Sequence, residues 1–526
     1  MQHLRTWFRD PVFLLGLVAG LIAFVVQSGE LGTADTQHRL NSTHALWTSE
    51  PPVYDWEYPE FGIHGRGGRL QSWYGIGQSL LMLPQDMIGT VLEDLPLFAY
   101  YKYTDPTVRN IFVSYSTSIL VTVLTALICF RLLRQFAFSA NHSIAGVLAL
   151  LVATTHLHYT QNMMENNYIF LLTATGFSFE YEWLQTGRRR ALLIGTGAFG
   201  LNLLTRLTTG LDLLAGIAFM LLVLWFEHAE FWPRIKTYAV TAIPVFCLFG
   251  LLDRIYQFYR FGSFTNTYVS VVKREALARH PGWPHTYPFE TPFHVGFFGS
   301  LFAPEKSIFL FDPLLILAIL IALFGWKYFN PAIRAYSVAA GLLLLGYICF
   351  YARYTVWSGD DAWGDRYVST AVELAVLLAV PLLLRLRAKL GRPVWIVGIA
   401  LLAVSTVIQL ASLAFWIPLE LYQMEVFGHP TFVIALRMKN IAAFALGKMD
   451  AWGLNTHSLQ EDPWDYVHMT TWNFLPFLLR RVGIAPAWAV RIVFAVWYTG
   501  LAVLAAASLR LRSVTRPQLA LQNVER

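Results

Sequence analysis

Charged residues are scarce in this chain of 526 residues. Asp, Glu, Lys and Arg together make up 14% of it, whereas 56% of the residues are hydrophobic. Soluble globular proteins contain about 25% charged residues, so this composition excludes a water-soluble fold. Cysteine is also scarce, and Cys129, Cys247 and Cys349 all lie inside apolar runs, so we expect no structural disulfide. The net charge of +6 does not indicate a nucleic-acid partner, because the basic residues are needed for membrane topology.

Long apolar runs are what the sequence contains instead. About 20 apolar residues in a helix cross the hydrocarbon core of a bilayer, and the following runs are close to that length: 12–28, 111–130, 143–158, 167–184, 191–205, 209–227, 236–257, 308–326, 333–352, 368–385, 393–416 and 488–509. No small-residue cleavage site follows the first run, so we expect it to remain as a helix. The stretch 76–99 is interrupted by Pro84, Asp86 and Pro96, and it predicts a helix lying in the membrane interface.

The distribution of basic residues determines the predicted orientation. With twelve spans, 19 of the 39 Lys and Arg fall in the terminal segments and short loops on one side, which is therefore cytoplasmic. Both termini are then cytoplasmic, and the long segments 29–110, 258–307, 353–367 and 417–487 lie outside. The predicted fold class is an all-α polytopic membrane protein of about twelve transmembrane helices, with interfacial helices in its long first outer loop, 29–110. The lipid bilayer is its first expected partner.

Two acidic residues next to predicted spans are candidates for chemistry. Asp35 follows the first span directly, and a carboxylate held there by the membrane surface suits a general base. The alternative is an ordinary solvated loop acid. Glu165 lies near His156 and His158, so these three could bind a divalent metal ion, although two histidines at short spacing are common by chance. Glu165 is better interpreted as a second carboxylate facing the same cavity as Asp35.

A Gly-rich segment with basic residues follows at 63–78, with the sequence IHGRGGRLQSWYGIGQ. Its glycines permit tight turns, and His64, Arg66 and Arg69 could hold a phosphate. Aromatic residues including Tyr74 stand before the predicted interfacial helix, a combination that suits a ligand with an anionic head and a lipid tail. The alternative is a plain turn whose arginines contact ordinary lipid headgroups.

Other basic and acidic residues stand in the later outer segments. Arg206 lies in a very short turn between two spans, and an arginine at membrane depth usually has a partner, unless it extends to lipid headgroups. Lys306 would lie at the outer surface where a span begins, and a structural role is equally open. The segment 353–367 is too rich in acids and glycines for a plain connector, since the aromatic belt accounts only for its tryptophans. Its candidate residues are Arg353, Asp360, Asp361, Arg366 and Tyr367.

Taken together, these segments resemble the GT-C superfamily of membrane glycosyltransferases, which includes protein O-mannosyltransferases and bacterial aminoarabinose transferases. The resemblance covers 12–390 and rests on the order of its parts: the acid after the first span, the Gly-Arg segment before an interfacial helix, the arginine in a tight turn, the Pro-Glu-Lys element and the Trp-Gly-x-Arg-Tyr segment. It implies an inverting glycosyltransferase of the bacterial inner membrane with its active site on the outer face. The donor would be a polyprenyl-phosphate-linked sugar, and the acceptor a glycan, a lipid or a protein.

The resemblance also implies roles for residues. Asp35 would deprotonate the acceptor, and the leaving lipid phosphate would be stabilised by Arg66, Arg69, Arg206, Lys306, Arg353 and Arg366. No redox cofactor is implied, and some relatives use a divalent metal ion while others do not. Two departures matter. Asp35 is followed by Thr36 where many relatives have a second acid. In numerous bacterial relatives the last motif reads Trp-x-Gly-Gly, while this chain has Gly359-Asp360-Asp361, which suggests a different acceptor pocket or a metal site at Asp360 and Asp361.

The implied organisation has three parts. Residues 1–416 would form the catalytic transmembrane region, 417–487 an outer cap or acceptor-recognition segment, and 488–526 the last span and a cytoplasmic tail. A multi-pass transporter, or a flippase or ligase for a lipid-linked glycan, is the alternative function, because twelve spans with both ends inside are common among carriers. Carriers place key polar residues near the middle of their helices. The polar residues here stand mostly at the outer rim, which favours an enzyme.

Overall fold

The computed structural model of the chain describes residues 9–98, 106–227, 230–425, 428, 430–449, 471–483 and 485–524. These residues form α-helices and one short antiparallel hairpin of β1 (Ile63–His64) and β2 (Leu70–Gln71). The helices of the first half are α1 (Pro11–Val26), α2 (Ala34–His44), α3 (Gly77–Glu93), α4 (Val108–Gln135), α5 (Ala140–Val152), α6 (His156–Gln161), α7 (Asn166–Thr186), α8 (Arg189–Thr205), α9 (Gly210–Phe226) and α10 (Phe231–Phe261). Those of the second half are α11 (Tyr268–Arg279), α12 (Phe293–Phe302), α13 (Ile308–Phe311), α14 (Leu314–Gly325), α15 (Pro331–Tyr351), α16 (Ser369–Val376), α17 (Ala379–Arg385), α18 (Arg387–Ser412), α19 (Pro418–Glu425), α20 (Val433–Ala445), α21 (Leu475–Val482) and α22 (Ala487–Val524).

Many of these helices have the length and composition of membrane-spanning segments. Within the described residues six helical stretches are long and apolar enough to cross a bilayer, and they contain α4, α9, α10, α15, α18 and most of α22. Shorter apolar helices, among them α1, α5, α12 and α14, accompany them. The prediction of an all-helical polytopic membrane protein is therefore confirmed. The number of about twelve crossings and the orientation of the termini remain predictions.

Two predicted spans are interrupted at matching places. The run 143–158 ends as a helix at Val152, and the run 308–326 breaks at Asp312 before Pro313. The Asp312 carboxylate accepts hydrogen bonds from the backbone N–H of Thr155 at 2.8 Å and from its hydroxyl at 3.1 Å. Because a helix break exposes backbone groups that need partners away from water, the Asp312 side chain satisfies an N–H that the first break leaves free.

Helices from both halves of the chain pack together in the core of the bundle. The helix α1 packs between α4 and α22, while α8 packs on α7 and α10, and α9 packs on α15. Aromatic rings fill the middle of the bundle. One ring cluster contains Phe136, Phe177, Tyr181, Phe219 and Tyr336. Such close packing drives helix association where lipid, not water, is the alternative environment.

Buried acids also occur within the helices, which the sequence interpretation underestimated. Glu180 accepts a hydrogen bond from the Tyr238 hydroxyl at 2.9 Å, and Asp212 accepts one from the Thr173 hydroxyl at 2.8 Å. A third acid, Glu373, contacts a ring nitrogen of a histidine. Each acid has a polar partner, as burial away from water requires. The polar groups are thus less confined to the outer rim than the sequence indicated.

The segment 417–487 is only partly described. Its residues 426–427, 429, 450–470 and 484 lie outside the described residues, so the polar run from His457 to Trp472 is mostly not covered. The described helices α19 and α20 are joined by a buried ion pair in which Arg437 Nη2 donates to Glu420 at 2.7 Å. Arg437 also donates to the carbonyl of Ser412 at 2.8 Å, which ties both helices to the end of α18. The role of the segment 417–487 as an outer cap or acceptor-recognition segment remains a prediction.

Candidate functional site

A cavity of about 590 Å³ lies between α2, the C-terminal end of α8 and the segment 353–367. Small-molecule sites are typically about 300–1,000 Å³, so its size suits a sugar-sized ligand. Its wall contains six acidic and three basic side chains: Asp35, Glu60, Glu165, Asp253, Asp360 and Asp361, with Arg39, Arg206 and Arg366. Aromatic rings and apolar residues complete the lining. The cavity is thus a polar site enclosed by an apolar helical bundle.

The helix α2 positions the first acid. Its N-cap is Thr33, whose hydroxyl accepts a hydrogen bond from the backbone N–H of Thr36 at 3.3 Å. Asp35 stands in the first turn, where the positive end of the helix dipole stabilises a carboxylate. Arg39 comes one turn later and therefore lies on the same face of the helix. Both side chains reach the cavity.

Asp35 is held on both of its carboxylate oxygens. The Tyr74 hydroxyl donates to Oδ1 at 2.5 Å, and Arg366 Nη1 donates to Oδ2 at 2.7 Å. Burial raises the pKa of Asp35, but the charges of Arg366 and Arg39 and the Tyr74 hydrogen bond outweigh it and leave the pKa well below its usual range. Asp35 is therefore ionised throughout the physiological pH range.

Glu165 occupies the opposite side of the same network. It is fully buried, and it pairs with Arg206 and with Arg39 Nη2, the latter at 2.8 Å. Burial raises the pKa of this carboxyl, but Arg206, Arg39 and Arg366 lower it to about 2. The Arg39 guanidinium also lies 4.2 Å from the centre of the Tyr74 ring. Arg39 thus connects the environments of the two carboxylates.

The segment 353–367 closes another side of the cavity. The Tyr367 ring stacks on Tyr351, with centroids 4.2 Å apart, and Arg206 lies 5.5 Å from the centre of the Tyr367 ring. Asp360 and Asp361 are exposed at the cavity rim. Burial, followed by the charge of Asp360, raises the pKa of Asp361. Asp360 and Asp361 therefore face the same space as the arginines.

The structure brings together only some of the predicted site residues. Asp35, Tyr74, Glu165, Arg206, Asp360, Asp361, Arg366 and Tyr367 line the cavity. The remaining candidates lie elsewhere: His64, Arg66, Arg69, Lys306 and Arg353. The first three are exposed around the β1–β2 hairpin, and Arg353 is exposed as well. Lys306 is buried behind the cavity wall, where it donates to backbone carbonyls. The chemical roles of all these residues remain predictions.

Arg39 is the main cavity residue that the sequence analysis did not select. The signal was its spacing of four residues from Asp35, which places both on one face if the segment is helical. The segment 34–44 follows a predicted span and has no apolar stripe, so nothing in its composition predicted a helix. Its buried face is mostly polar and includes His38 and Thr43, whereas the buried Leu40 belongs to a small apolar cluster.

The histidines proposed as metal ligands have other partners. The Nδ1 atom of His156 lies 3.1 Å from Glu373, and the His158 ring stacks on Trp363 with centroids 5.8 Å apart. Glu165 is bound by two arginines. In the part of the chain that the structure describes, no group of three or more His, Cys, Asp or Glu side chains is placed to hold a metal ion. These three residues therefore do not form a ligand set, because their side chains are engaged separately.

Two glycines at the start of α3 allow the site to assemble. A Cβ atom on Gly75 would lie 2.3 Å from the carbonyl oxygen of Thr205, and one on Gly77 would lie 2.1 Å from the Thr205 hydroxyl. The backbone next to Tyr74 therefore packs directly on the end of α8, beside Arg206. The buried Arg260 completes this contact by donating to the Tyr74 carbonyl at 2.9 Å.

We expect Gly77→Ala to destabilise the protein by about 1–3 kcal/mol, because the added methyl group overpacks the contact with α8. The measurement is thermal unfolding in detergent. Gly197→Ala is the matched control, since that glycine lies inside α8 with no atom within 4 Å of the added Cβ. Equal melting temperatures for the two variants would contradict the close packing.

The fold and the cavity define a polytopic helical membrane protein with a charged site enclosed among its helix ends. No family model matches the chain, and no curated protein matches it. Among solved structures, the chain is similar to the crystal structure of ArnT from Cupriavidus metallidurans bound to undecaprenyl phosphate. The TM-score is 0.43 and the identity is 14%, over 96% of this chain and 78% of that one.

Proposed function

We propose that the protein is an inverting glycosyltransferase that moves a sugar from a polyprenyl-phosphate donor to an acceptor on the outer face of the membrane. The observation that carries the proposal is the environment of Asp35. It is an ionised carboxylate facing a cavity of sugar size; Arg366 pairs with it, the charge of Arg39 acts on it, and Arg206 lines the same cavity. A base and a cluster of phosphate-binding groups therefore share one cavity.

The arginines would receive the phosphate of the donor. Guanidinium groups bind phosphate through paired N–H donors, and they stabilise the charge that develops as the phosphate leaves. Arg206 and Arg366 are ion-paired to Glu165 and Asp35, so they are already oriented toward the cavity. The apolar helices around the cavity suit a lipid tail, which would leave the phosphate and the sugar in the polar space.

Asp35 would act as the general base. An acceptor hydroxyl or amine would take the place of the Tyr74 hydroxyl and give its proton to the carboxylate. The acceptor atom would form a bond to the anomeric carbon while the bond from that carbon to the phosphate oxygen breaks. The electron pair of the broken bond stays on the phosphate, whose charge the arginines balance. Attack from the side opposite the phosphate inverts the configuration of the sugar.

Lipid extraction followed by mass spectrometry tests the proposal on the detergent-purified protein and its Asp35→Asn variant. We expect a polyprenyl phosphate to co-purify with both proteins. We expect its glycosylated form to be enriched in the variant, because the donor binds but is not consumed. Bulk phospholipid alone in both samples would contradict the polyprenyl-phosphate donor and would favour a carrier function.

A further inference from the structure

The side chain of Lys306 lies inside a loop of the segment 353–367. Its ammonium group donates to the carbonyl of Ala362 at 2.9 Å and to that of Gly364 at 3.5 Å, and it also contacts the carbonyl of Asp360. The side chain is 5% exposed, although lysine is almost never buried without compensating partners. The loop therefore folds around a positive charge that the chain itself supplies.

The partners of this charge are backbone dipoles. Within the described residues no carboxylate lies within ion-pair distance of Lys306. Asp365, the buried acid nearby, accepts from the Ser300 hydroxyl at 2.6 Å and from the backbone N–H of Tyr367 at 3.1 Å. Three carbonyl oxygens that converge on one cation resemble the surroundings of a bound metal ion, with the ammonium in its place.

The loop adopts a backbone conformation that needs this support. Gly359, Asp360 and Gly364 all have positive φ, of 80°, 59° and 72°. Such a conformation is uncommon for Asp and costs about 1–3 kcal/mol when the surroundings must impose it. A Cβ atom on Gly359 would lie 2.6 Å from the Cγ atom of Arg366, so the turn packs directly on the arginine that holds Asp35.

We propose that Lys306 is a positioning residue, an internal cation that folds the loop 359–364 and thereby places Arg366 against Asp35. Neither the donor nor the acceptor would contact Lys306. Its effect on transfer rests on the proposed function, whereas its effect on the loop does not. The loop that folds around this cation also carries Asp360 and Asp361, which line the cavity.

Backbone amide exchange of the full-length protein in detergent tests the effect on the loop. We expect Lys306→Ala to speed amide exchange at 359–364 by at least about tenfold. The amides of an ordered segment exchange when the segment opens locally, and the loss of the cation makes this opening more frequent. Propylammonium replaces the atoms removed by the substitution, so it should restore slow exchange, and 1-propanol should not. Lys306→Met, with a neutral side chain of similar length, should behave as Lys306→Ala does without the amine.

Lys273→Met is the matched control, because its ammonium contacts one carbonyl in an exposed segment. We expect wild-type exchange in that variant. Exchange at 359–364 that is unchanged in Lys306→Met, or equal rescue by 1-propanol and propylammonium, would overturn the proposal. If both Lys306 variants fail to fold, amide exchange in the wild-type protein tests the proposal instead. Exchange at 359–364 as fast as that of the exposed turn 66–69 would also overturn the proposal.

Transfer measurements then separate the two proposals. With a lipid donor identified, Lys306→Ala should lower kcat more than it raises KM, and propylammonium should restore kcat. Exchange at 359–364 could be slow only when the ammonium is present, while no polyprenyl phosphate co-purifies with the protein. That result would support the role of Lys306 in folding the loop and reject the transferase. An unchanged kcat in a variant with a fast-exchanging loop would reject its role in positioning Arg366.

Discussion

Asp35→Asn should lower the rate of sugar transfer by about 10²–10⁴-fold, which is the contribution of a positioned general base. Asparagine keeps an oxygen that can accept the Tyr74 hydrogen bond, but its amide nitrogen cannot accept the one from Arg366, so a melting curve in detergent is needed to show that the variant is folded. It cannot take a proton from the acceptor, and the chemical step is therefore the one that fails. The measurement is the conversion of glycosylated to free polyprenyl phosphate in membranes, followed by mass spectrometry.

The control for this prediction is Asp55→Asn, which changes an exposed acid in the same outer segment and does not line the cavity. It should transfer at the wild-type rate. Binding of the lipid should be retained in Asp35→Asn, because the arginines remain. Full activity of Asp35→Asn would show that Asp35 is not the base. Glu165 would not readily act as the base in its place, because two arginines pair with its carboxylate.

Glu165→Gln should destabilise the folded protein by about 3–5 kcal/mol, because it leaves the positive charges of Arg39 and Arg206 without their buried counter-charge. The loss should appear as a lower melting temperature and a lower denaturant midpoint in detergent. The same substitution should weaken transfer, since Arg39 also contacts Tyr74 beside Asp35. The measurement of stability does not depend on knowing the substrate.

Glu182→Gln provides the comparison, because Glu182 pairs with Arg131 at a partly exposed position where an ion pair contributes at most about 1 kcal/mol. A double-mutant cycle with Arg206→Gln isolates the buried pair. We expect the double variant to be less destabilised than the sum of the single variants, by about 0.5–3 kcal/mol. Strict additivity would show that Glu165 and Arg206 act independently.

The sequence by itself determined the class of the protein. A charge content of 14% and recurrent apolar runs require a membrane, because no water-soluble fold could bury so much apolar surface. The order of polar segments also placed Asp35, Glu165 and Arg206 next to membrane-spanning helices. These are local properties, and local composition and periodicity are enough to read them.

The tertiary structure decided which of these residues meet. Arg366 reaches Asp35 across 331 positions of the chain, and no local pattern encodes that pairing. Arg66 and Arg69, which composition made equally suitable for a phosphate, lie on an exposed turn outside the cavity. The side chain of Lys306 is buried because three backbone carbonyls of the segment 353–367 accept hydrogen bonds from its ammonium group. Residue type and spacing show which groups can bind or transfer a proton, but only the packing of distant helices sets the distances between them.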